Sequence, residues 1–251
     1  MKKQIIGIVM ILLLLVSGCT AQEAPASEDG LTADLEIVDL GFSDDSTDPA
    51  DPAARSYNYC MAVKNNGNGA AGGVEVEVTL EFDDGTTDHY VPTISAPFIL
   101  PGETVYWGEE NIYDEEFAGK TLSDIKCELK PSSIIAGEEA VRLNGSPEGL
   151  YVENYSIDWN DEGYVFTGDL VNDNDVDYKH VFIVISLKKD GKLVGCLEDG
   201  GGSIGIGAND RYSFEHTVVN PYLGAEYDEM EVHVYGQTNE TRTFFGLDPI
   251  P

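Results

Sequence analysis

The chain has 251 residues and a formal net charge of −32, from 46 acidic and 14 basic side chains. A protein this acidic repels the phosphates of nucleic acids and of anionic lipid headgroups, so composition argues against both as partners. A hydrophobic content of 42% is sufficient for packed cores and argues against a disordered chain. We interpret the charge as a solvated acidic surface suited to a salty environment; the alternative is a surface that binds cations or a basic partner.

The N-terminus has the pattern of an export signal that ends in a lipid attachment site. Lys2 and Lys3 precede an apolar run at residues 5–16, which is shorter than the roughly 20 residues that span a bilayer. A basic start, a short apolar stretch and small residues are typical of a secretory signal peptide. Val16-Ser17-Gly18-Cys19 resembles the lipobox of bacterial and archaeal lipoproteins. That resemblance implies a diacylglycerol group on Cys19 and removal of residues 1–18.

Two acyl chains are sufficient for stable anchoring, so we expect a lipid-anchored protein on the extracytoplasmic face of the cell membrane. The alternative is a signal-anchor helix in which Cys19 is incidental. Acidic residues at positions 23 and 28 end the apolar run, which favours the lipoprotein. Residues 19–30, rich in Glu, Ala, Pro and Ser, then predict a flexible tether.

From residue 31 onward the hydrophobic pattern changes to the period of two that is typical of half-buried β-strands. The clearest examples are residues 57–63, 74–80 and 125–129, separated by turns rich in Gly, Asn, Asp and Pro. Residues 43–54 form an Asp- and Pro-rich loop. A last strand of the first half is expected at residues 140–143. Because helical periodicity is almost absent, we predict an all-β fold.

The two halves of the chain match each other at an offset of 107 residues. Alternate apolar residues of two predicted strands coincide: Val74, Val76, Val78 and Leu80 with Val181, Ile183, Ile185 and Leu187. Asn65 coincides with Asn172, and the turns agree in order and spacing. Unrelated β-domains would not agree in register. We therefore predict two tandem immunoglobulin-like β-sandwich domains related by internal duplication, at residues 31–145 and 146–251.

Motifs of the first domain resemble the CARDB module, a cell-adhesion-related domain of bacterial and archaeal surface proteins. They are residues 63–67, the alternating strand at 74–80, Asp84-Gly85 and Leu100-Pro101-Gly102-Glu103. The second domain is similar to CARDB and to the FxLYD module, but has Ala208-Asn209 in place of Pro-Gly. The resemblance implies surface display and binding, without shared catalytic residues.

Three thiols besides Cys19 remain, at Cys60, Cys127 and Cys196. An extracytoplasmic location permits one disulfide, and Cys60–Cys127 is the predicted pair because both residues lie in the first half. Their strand phases conflict, since Cys127 faces the predicted core and Cys60 faces outward. A β-bulge would reconcile the two; otherwise they are separate thiols.

Asp173, Asp175 and Asp177 present carboxylates at alternate positions, as calcium-binding loops do. Tyr178 stands where an EF-hand requires Gly and Val184 where it requires Glu, which excludes that class. A looser calcium site and an Asx-rich turn remain, and the turn is the simpler interpretation. A second acidic loop has the same two interpretations; it contains Asp44, Asp45, Asp48 and Asp51. Apart from calcium, the sequence predicts no cofactor.

Motifs of known catalytic sites are absent from the sequence. The four histidines lack metal-ligand spacing, and there is no nucleophile elbow, P-loop or dinucleotide fingerprint. We therefore predict no enzymatic activity and no catalytic residues. Three sequons, at Asn144, Asn154 and Asn239, are candidate glycosylation sites whose use depends on the host.

Together these features favour a lipid-anchored cell-surface protein with two modules for binding, adhesion or scaffolding at the cell envelope. Its partner would be an unknown protein or glycan. The alternatives are an accessory subunit of an envelope or transport complex, a calcium-dependent binding protein, and an enzyme that uses unrecognised acidic residues. Exposed apolar patches would favour the subunit, and a close carboxylate pair in a deep cleft would favour the enzyme.

Overall fold

The computed structural model describes residues 30–45, 56–112, 120–160, 163–199, 204–218 and 227–246. In these segments the chain forms thirteen β-strands and two α-helices, which confirms the predicted all-β fold class. The strands of the first half are β1 (Leu35–Asp45), β2 (Ser56–Asn65), β3 (Ala70–Phe82), β4 (Thr87–Tyr90), β5 (Phe98–Ile99), β6 (Thr104–Ile112) and β7 (Leu122–Ile135). The second half contains α1 (Gly137–Asn144), a 3₁₀ turn (Pro147–Gly149), β8 (Leu150–Asn160), β9 (Gly163–Asn172), β10 (His180–Lys189), β11 (Lys192–Asp199), β12 (Asp210–Val218), β13 (Glu229–Gln237) and α2 (Asn239–Phe244).

The strands of the first half form two antiparallel sheets that pack face to face, here called the first sandwich. One sheet has the order β1-β2-β6; in the other, β3 pairs with β7 along one edge and with β4 and β5 along the other. Four residues of β3 face inward and are fully buried: Val74, Val76, Val78 and Leu80. They alternate with more exposed Glu and Thr residues. They share one core with Met61, Val63 and Trp107 of the facing sheet.

The second half forms an equivalent pair of sheets, here called the second sandwich. Their strand orders are β8-β9-β12 and β11-β10-β13. The inward-facing residues of β10 are Val181, Ile183, Ile185 and Leu187. They share one core with Phe166, Leu170 and Phe214 of the facing sheet.

Strand order is the same in the two sandwiches. β2, β3, β6 and β7 of the first occupy the positions that β9, β10, β12 and β13 occupy in the second. An internal duplication would produce this equivalence, and the duplication itself stays a prediction. β7 ends at Ile135 and β8 begins at Leu150, so the predicted domain boundary after residue 145 lies in the connection between them.

A buried asparagine closes the same turn in each sandwich. Asn65 and Asn172 are both 0% exposed. The Asn65 side-chain nitrogen donates to the carbonyl oxygens of Gly69 and Ile99 at 2.8 and 2.9 Å, and its oxygen accepts from the N–H of Gly67. The Asn172 side chain makes the equivalent bonds, with Val176, Gly207 and Asn174. Because buried polar groups require partners, each asparagine fixes two loops to the end of a strand.

The strand predicted at residues 140–143 is wrong, because this segment belongs to α1. Glu138 and Glu139 lie in the first helical turn and Arg142 in the last, which suits the helix dipole. Ala140 and Leu143 form the buried side. Their spacing of three residues places them on one face of a helix, whereas it would place them on opposite faces of a strand.

The two sandwiches pack against each other through the outer faces of two sheets. β11 lies against β1, β2 and β6. A buried cluster fills this contact, formed by Cys60, Val184, Leu193 and Cys196. As a result, β2 and β10 are covered on both faces, by their own core on one side and by the other sandwich on the other.

Replacing Asn65 with Ala is expected to lower the free energy of unfolding by about 2–4 kcal/mol, because backbone groups in the core lose their partners. Asn66 is exposed and bonds to the Glu36 side chain, so Asn66→Ala is the matched control. Its expected cost is below about 0.5 kcal/mol. Urea unfolding followed by tryptophan fluorescence measures both. Equal losses in the two variants would contradict the role assigned to Asn65.

Candidate binding cleft between the sandwiches

Two glycines let the backbones of the two sandwiches approach closely. A Cβ atom at Gly41 would lie 2.6 Å from the carbonyl oxygen of Leu193. One at Gly108 would lie 3.1 Å from the Cβ atom of Cys196. The N–H of Leu193 donates to the carboxylate of Asp39 at 2.8 Å. The missing side chains at positions 41 and 108 therefore allow β11 to contact β1 and β6 directly.

Tyr106 of β6 makes the main aromatic contact across the interface. Its ring stacks on His233, with centroids 4.1 Å apart and planes inclined by 19°, and its N–H donates to the Tyr235 hydroxyl at 2.8 Å. His233 Nε2 lies 2.9 Å from the Ser186 hydroxyl oxygen. Burial lowers the pKa of His233 to about 4, although the carboxylate of Glu231 lies nearby and opposes the shift. The stacked imidazole is therefore neutral at pH 7.

Asn144, the last residue of α1, fastens the connection between the sandwiches. Its side-chain nitrogen donates to the carbonyl oxygen of Gly236 at 2.7 Å, and its side-chain oxygen accepts from the Thr241 hydroxyl at 2.6 Å. Its backbone carbonyl accepts from the Tyr178 hydroxyl at 2.7 Å. The Tyr178 hydroxyl is removed from water, and burial raises its pKa to about 12. One residue thus joins α1 to β13, to α2 and to the segment before β10.

These contacts leave a cleft of about 310 Å³ where the two sandwiches meet the segment after α2. The first sandwich contributes Glu75, Ile94 and Ser132, the second Phe182 and Gln237, and the segment after α2 Phe245. The two phenylalanines and the glutamine are half-buried, whereas the glutamate and the serine are exposed. The volume is at the lower end of the range for small-molecule sites, which occur preferentially at domain interfaces.

Two adjacent glycines of β3 shape one wall of the cleft. Gly73 has a φ of +55°, a conformation that favours glycine. A Cβ atom at Gly72 would lie 2.9 Å from the ring of Phe245. The ring centroid of Phe245 is 5.4 Å from that of Phe98, so the ring is held between the β3 backbone and a second ring. Beside it, the Ser132 hydroxyl donates to the carbonyl oxygen of Gly73 at 2.8 Å.

Glu75 is the only charged side chain among the described residues that line the cleft. In the β3–β7 register it stands opposite Lys130, whose ammonium group pairs with Glu77. The remaining polar lining is uncharged and consists of the hydroxyl groups of Thr93, Ser95 and Ser132 and the amide of Gln237. The cleft therefore offers one negative charge, hydrogen-bonding groups and two aromatic rings.

The predicted calcium ligands do not converge. Their carboxylates accept hydrogen bonds from three separate donors: Asp173 from the Tyr151 hydroxyl at 3.1 Å, Asp175 from the Asn209 side chain at 3.1 Å, and Asp177 from the N–H of Ala208 at 2.8 Å. In the described part of the chain, no group of three or more His, Cys, Asp or Glu side chains is arranged to hold a metal ion. These bonds suit the Asx-rich turn, and calcium binding by this segment stays a prediction.

Two of the predicted sites lie partly or wholly outside the described residues. In the second acidic loop, Asp44 and Asp45 belong to β1, whereas Asp48 and Asp51 fall outside the described segments. Cys19 also falls outside them, so its lipidation stays a prediction.

None of the three described cysteines forms a disulfide with another of them. Cys127 lies in the core of the first sandwich, whereas Cys60 lies in the cluster between the sandwiches with Cys196. The predicted Cys60–Cys127 disulfide is therefore wrong, because the sheet β1-β2-β6 separates the two side chains. Cys60 does point away from its own core, as its strand phase indicates. It is nevertheless only 1% exposed, because the second sandwich covers it.

The three sequons differ in their surroundings. The Asn144 side-chain nitrogen is half-buried and already donates to Gly236, so a glycan there would remove a bond that fastens the connection. Asn154 is exposed and donates to the carboxylate of Asp169 at 2.9 Å. Asn239 is exposed at the first position of α2. Of the three, Asn154 and Asn239 are the accessible candidates, and their glycosylation stays a prediction.

A search against protein-family models found no match, and no curated protein matches the chain. The resemblance to the CARDB and FxLYD modules and to the lipobox therefore stays a prediction. In the described segments, no helix has the length and hydrophobicity needed to cross a membrane.

We expect the folded protein to lose stability as the pH falls from about 6.5 to 4. In the unfolded chain His233 takes up a proton near its ordinary pKa of 6.5, whereas in the folded protein its pKa is about 4. Between these values folding must release the proton, so the free energy of unfolding falls by up to about 3 kcal/mol. Above pH 6.5 the histidine is neutral in both states and contributes no pH dependence.

Urea unfolding at several pH values measures this effect. Burial raises the pKa of Glu103, so the contribution of Glu103 to stability increases as the pH falls and opposes that of His233. The test therefore compares wild type with His233→Gln. The variant should lose much of the slope between pH 6.5 and 4. His89→Gln, at an exposed position on β4, is the control and should keep it. Parallel profiles of wild type and His233→Gln would contradict the assignment.

Proposed function

We propose that the protein is a lipid-anchored binding protein of the extracytoplasmic membrane face, and that the cleft between its sandwiches is the binding site. The observation that carries this proposal is the composition of the cleft, which draws its lining from both sandwiches and from the segment after α2. A site of this kind exists only when the whole module is folded. A functional requirement for the cleft would then explain why the two sandwiches form one stable unit.

Binding is favoured over catalysis by the chemistry of the lining. Among the described residues of the cleft, Glu75 is the only titratable group. Acid–base catalysis usually requires a second group positioned beside the first, such as a nucleophile next to its base or a close carboxylate pair. Aromatic rings and uncharged hydrogen-bonding groups are instead suited to holding a ligand in one orientation.

The direct packing of the sandwiches supports a preformed site. Four elements limit their relative motion: the buried cluster around Cys60, the Tyr106–His233 stack, the Leu193–Asp39 hydrogen bond and the bonds of Asn144. A ligand that enters a cleft of fixed shape does not have to order it first, which improves affinity.

The proposed anchor places this module near the membrane. A flexible tether of the length of residues 19–30 has a root-mean-square extension of about 20 Å. That distance would keep the folded module clear of the headgroups while holding it at the surface. The acidic module would also be repelled by an anionic surface, which favours display over adsorption.

Cys19→Ser in the native host is expected to abolish lipid attachment, because the serine hydroxyl cannot replace the thiol as acceptor of the diacylglycerol group. In detergent phase partitioning the variant should move to the aqueous phase, and it should not incorporate labelled fatty acid. Thr20→Ser, at the next position, is the control and should behave as wild type. Retention of the Cys19→Ser protein in the membrane, with no labelled fatty acid in either wild type or variant, would contradict the anchor and favour a signal-anchor helix.

A further inference from the structure

We infer that the cleft binds a small organic cation, specifically an ammonium group that carries apolar substituents. The inference rests on the proposed binding role of the cleft and names the ligand class. It depends on three properties of the described lining: the sign of its charge, its two aromatic rings and its volume.

The charge of the lining selects against anions. Glu75 lines the cleft and is exposed, and none of the described lining residues is basic. Lys130, which stands opposite Glu75 on β7, has its ammonium group paired with Glu77. The charge of Lys130 also acts on Glu75, but Glu75 forms no ion pair with it and is the one carboxylate among the described lining residues.

Two phenylalanine rings supply the apolar and cation-attracting surface. Phe182 comes from β10 and Phe245 from the segment after α2, and both are half-buried. Phe245 is fixed in place by Gly72 and by the ring of Phe98. The face of an aromatic ring attracts a cation through its quadrupole, and this attraction strengthens when the cation is partly desolvated. Alkyl groups on the nitrogen would also gain from contact with the buried Ile94.

The volume of the cleft and the net charge of the whole protein also favour a small cation. A cleft of about 310 Å³ has room for one compact ligand rather than a polymer chain. The formal net charge of −32 concentrates cations near the surface and repels anions before any contact is made. Neutral sugars could use the same rings and hydroxyl groups, but would gain nothing from Glu75.

The test measures binding to the full-length protein in a non-ionic detergent by isothermal titration calorimetry at low ionic strength. Choline is the cationic probe, and 3,3-dimethyl-1-butanol is its neutral isostere of nearly the same shape. Glucose and acetate represent polyols and anions. We expect choline to bind at least about tenfold more tightly than the isostere, because only the cation interacts with Glu75 and with the ring quadrupoles.

Variants locate the binding. Glu75→Gln should weaken choline binding at least about fivefold and leave the isostere unchanged, whereas Glu128→Gln, on the same strand pair, should change neither. Phe245→Leu should weaken both compounds. Because Glu75 is exposed and makes no ion pair among the described residues, its variant is expected to fold normally, and an unchanged melting temperature checks this.

Several outcomes would overturn the inference. Equal affinities for choline and its isostere would remove the role of charge, and equal effects of Glu75→Gln and Glu128→Gln would place the cation elsewhere. Glucose or acetate binding that Phe245→Leu abolishes, without choline binding, would overturn the ligand class and keep the cleft as a binding site. No heat from any probe would overturn the cleft as a small-molecule site; the membrane anchor is tested separately through Cys19.

Discussion

The packing of the sheet β1-β2-β6 against the sheet β11-β10-β13 is the contact on which the rest of the arrangement depends. Each of these sheets has its own core on one side and the other sandwich on the other, so β2 and β10 carry apolar or small residues at nearly every central position. Separating the sandwiches would expose the cluster around Cys60 and Leu193 and would also divide the lining of the cleft. The cleft is therefore a property of the interface and not of either sandwich alone.

The two turns closed by Asn65 and Asn172 show which features of the repeat are physically required. Each asparagine supplies the same donors and acceptor to its loops, although the loop sequences differ. The departure of the second copy from the Pro-Gly motif has little conformational effect. Gly102 has a φ of +82°, and Asn209, 107 positions later, has a φ of +55°. Asparagine is among the few residues that tolerate this region, so the turn keeps its shape without glycine.

Local periodicity predicted the strands and their inward faces but not the interface. On β3 the apolar residues alternate with Glu and Thr, and the predicted single buried face is correct. On β10, Phe182 and Val184 lie between the core residues, and an almost continuous apolar run is typical of a strand buried on both faces. A pattern of alternate residues assigns only one face of a strand to a core, so it does not reveal the second buried face of β10. For the same reason Cys60 was expected to face outward. Helix α1 was missed because eight residues are too few to establish a period.

The cleft could not be predicted from local motifs, because Glu75, Phe182 and Phe245 come from three distant elements and none belongs to a recognisable pattern. One local signal was present: the pair Gly72-Gly73 inside a strand, where glycine often marks the close approach of another group. That group is Phe245, and its position depends on α2. A six-residue helix is not stable by itself, so α2 is held by its cap Thr238 and by the bond from Thr241 to Asn144 of α1. The same asparagine that connects the sandwiches therefore also places one wall of the cleft, which makes the shape of the site and the join between the sandwiches a single structural constraint.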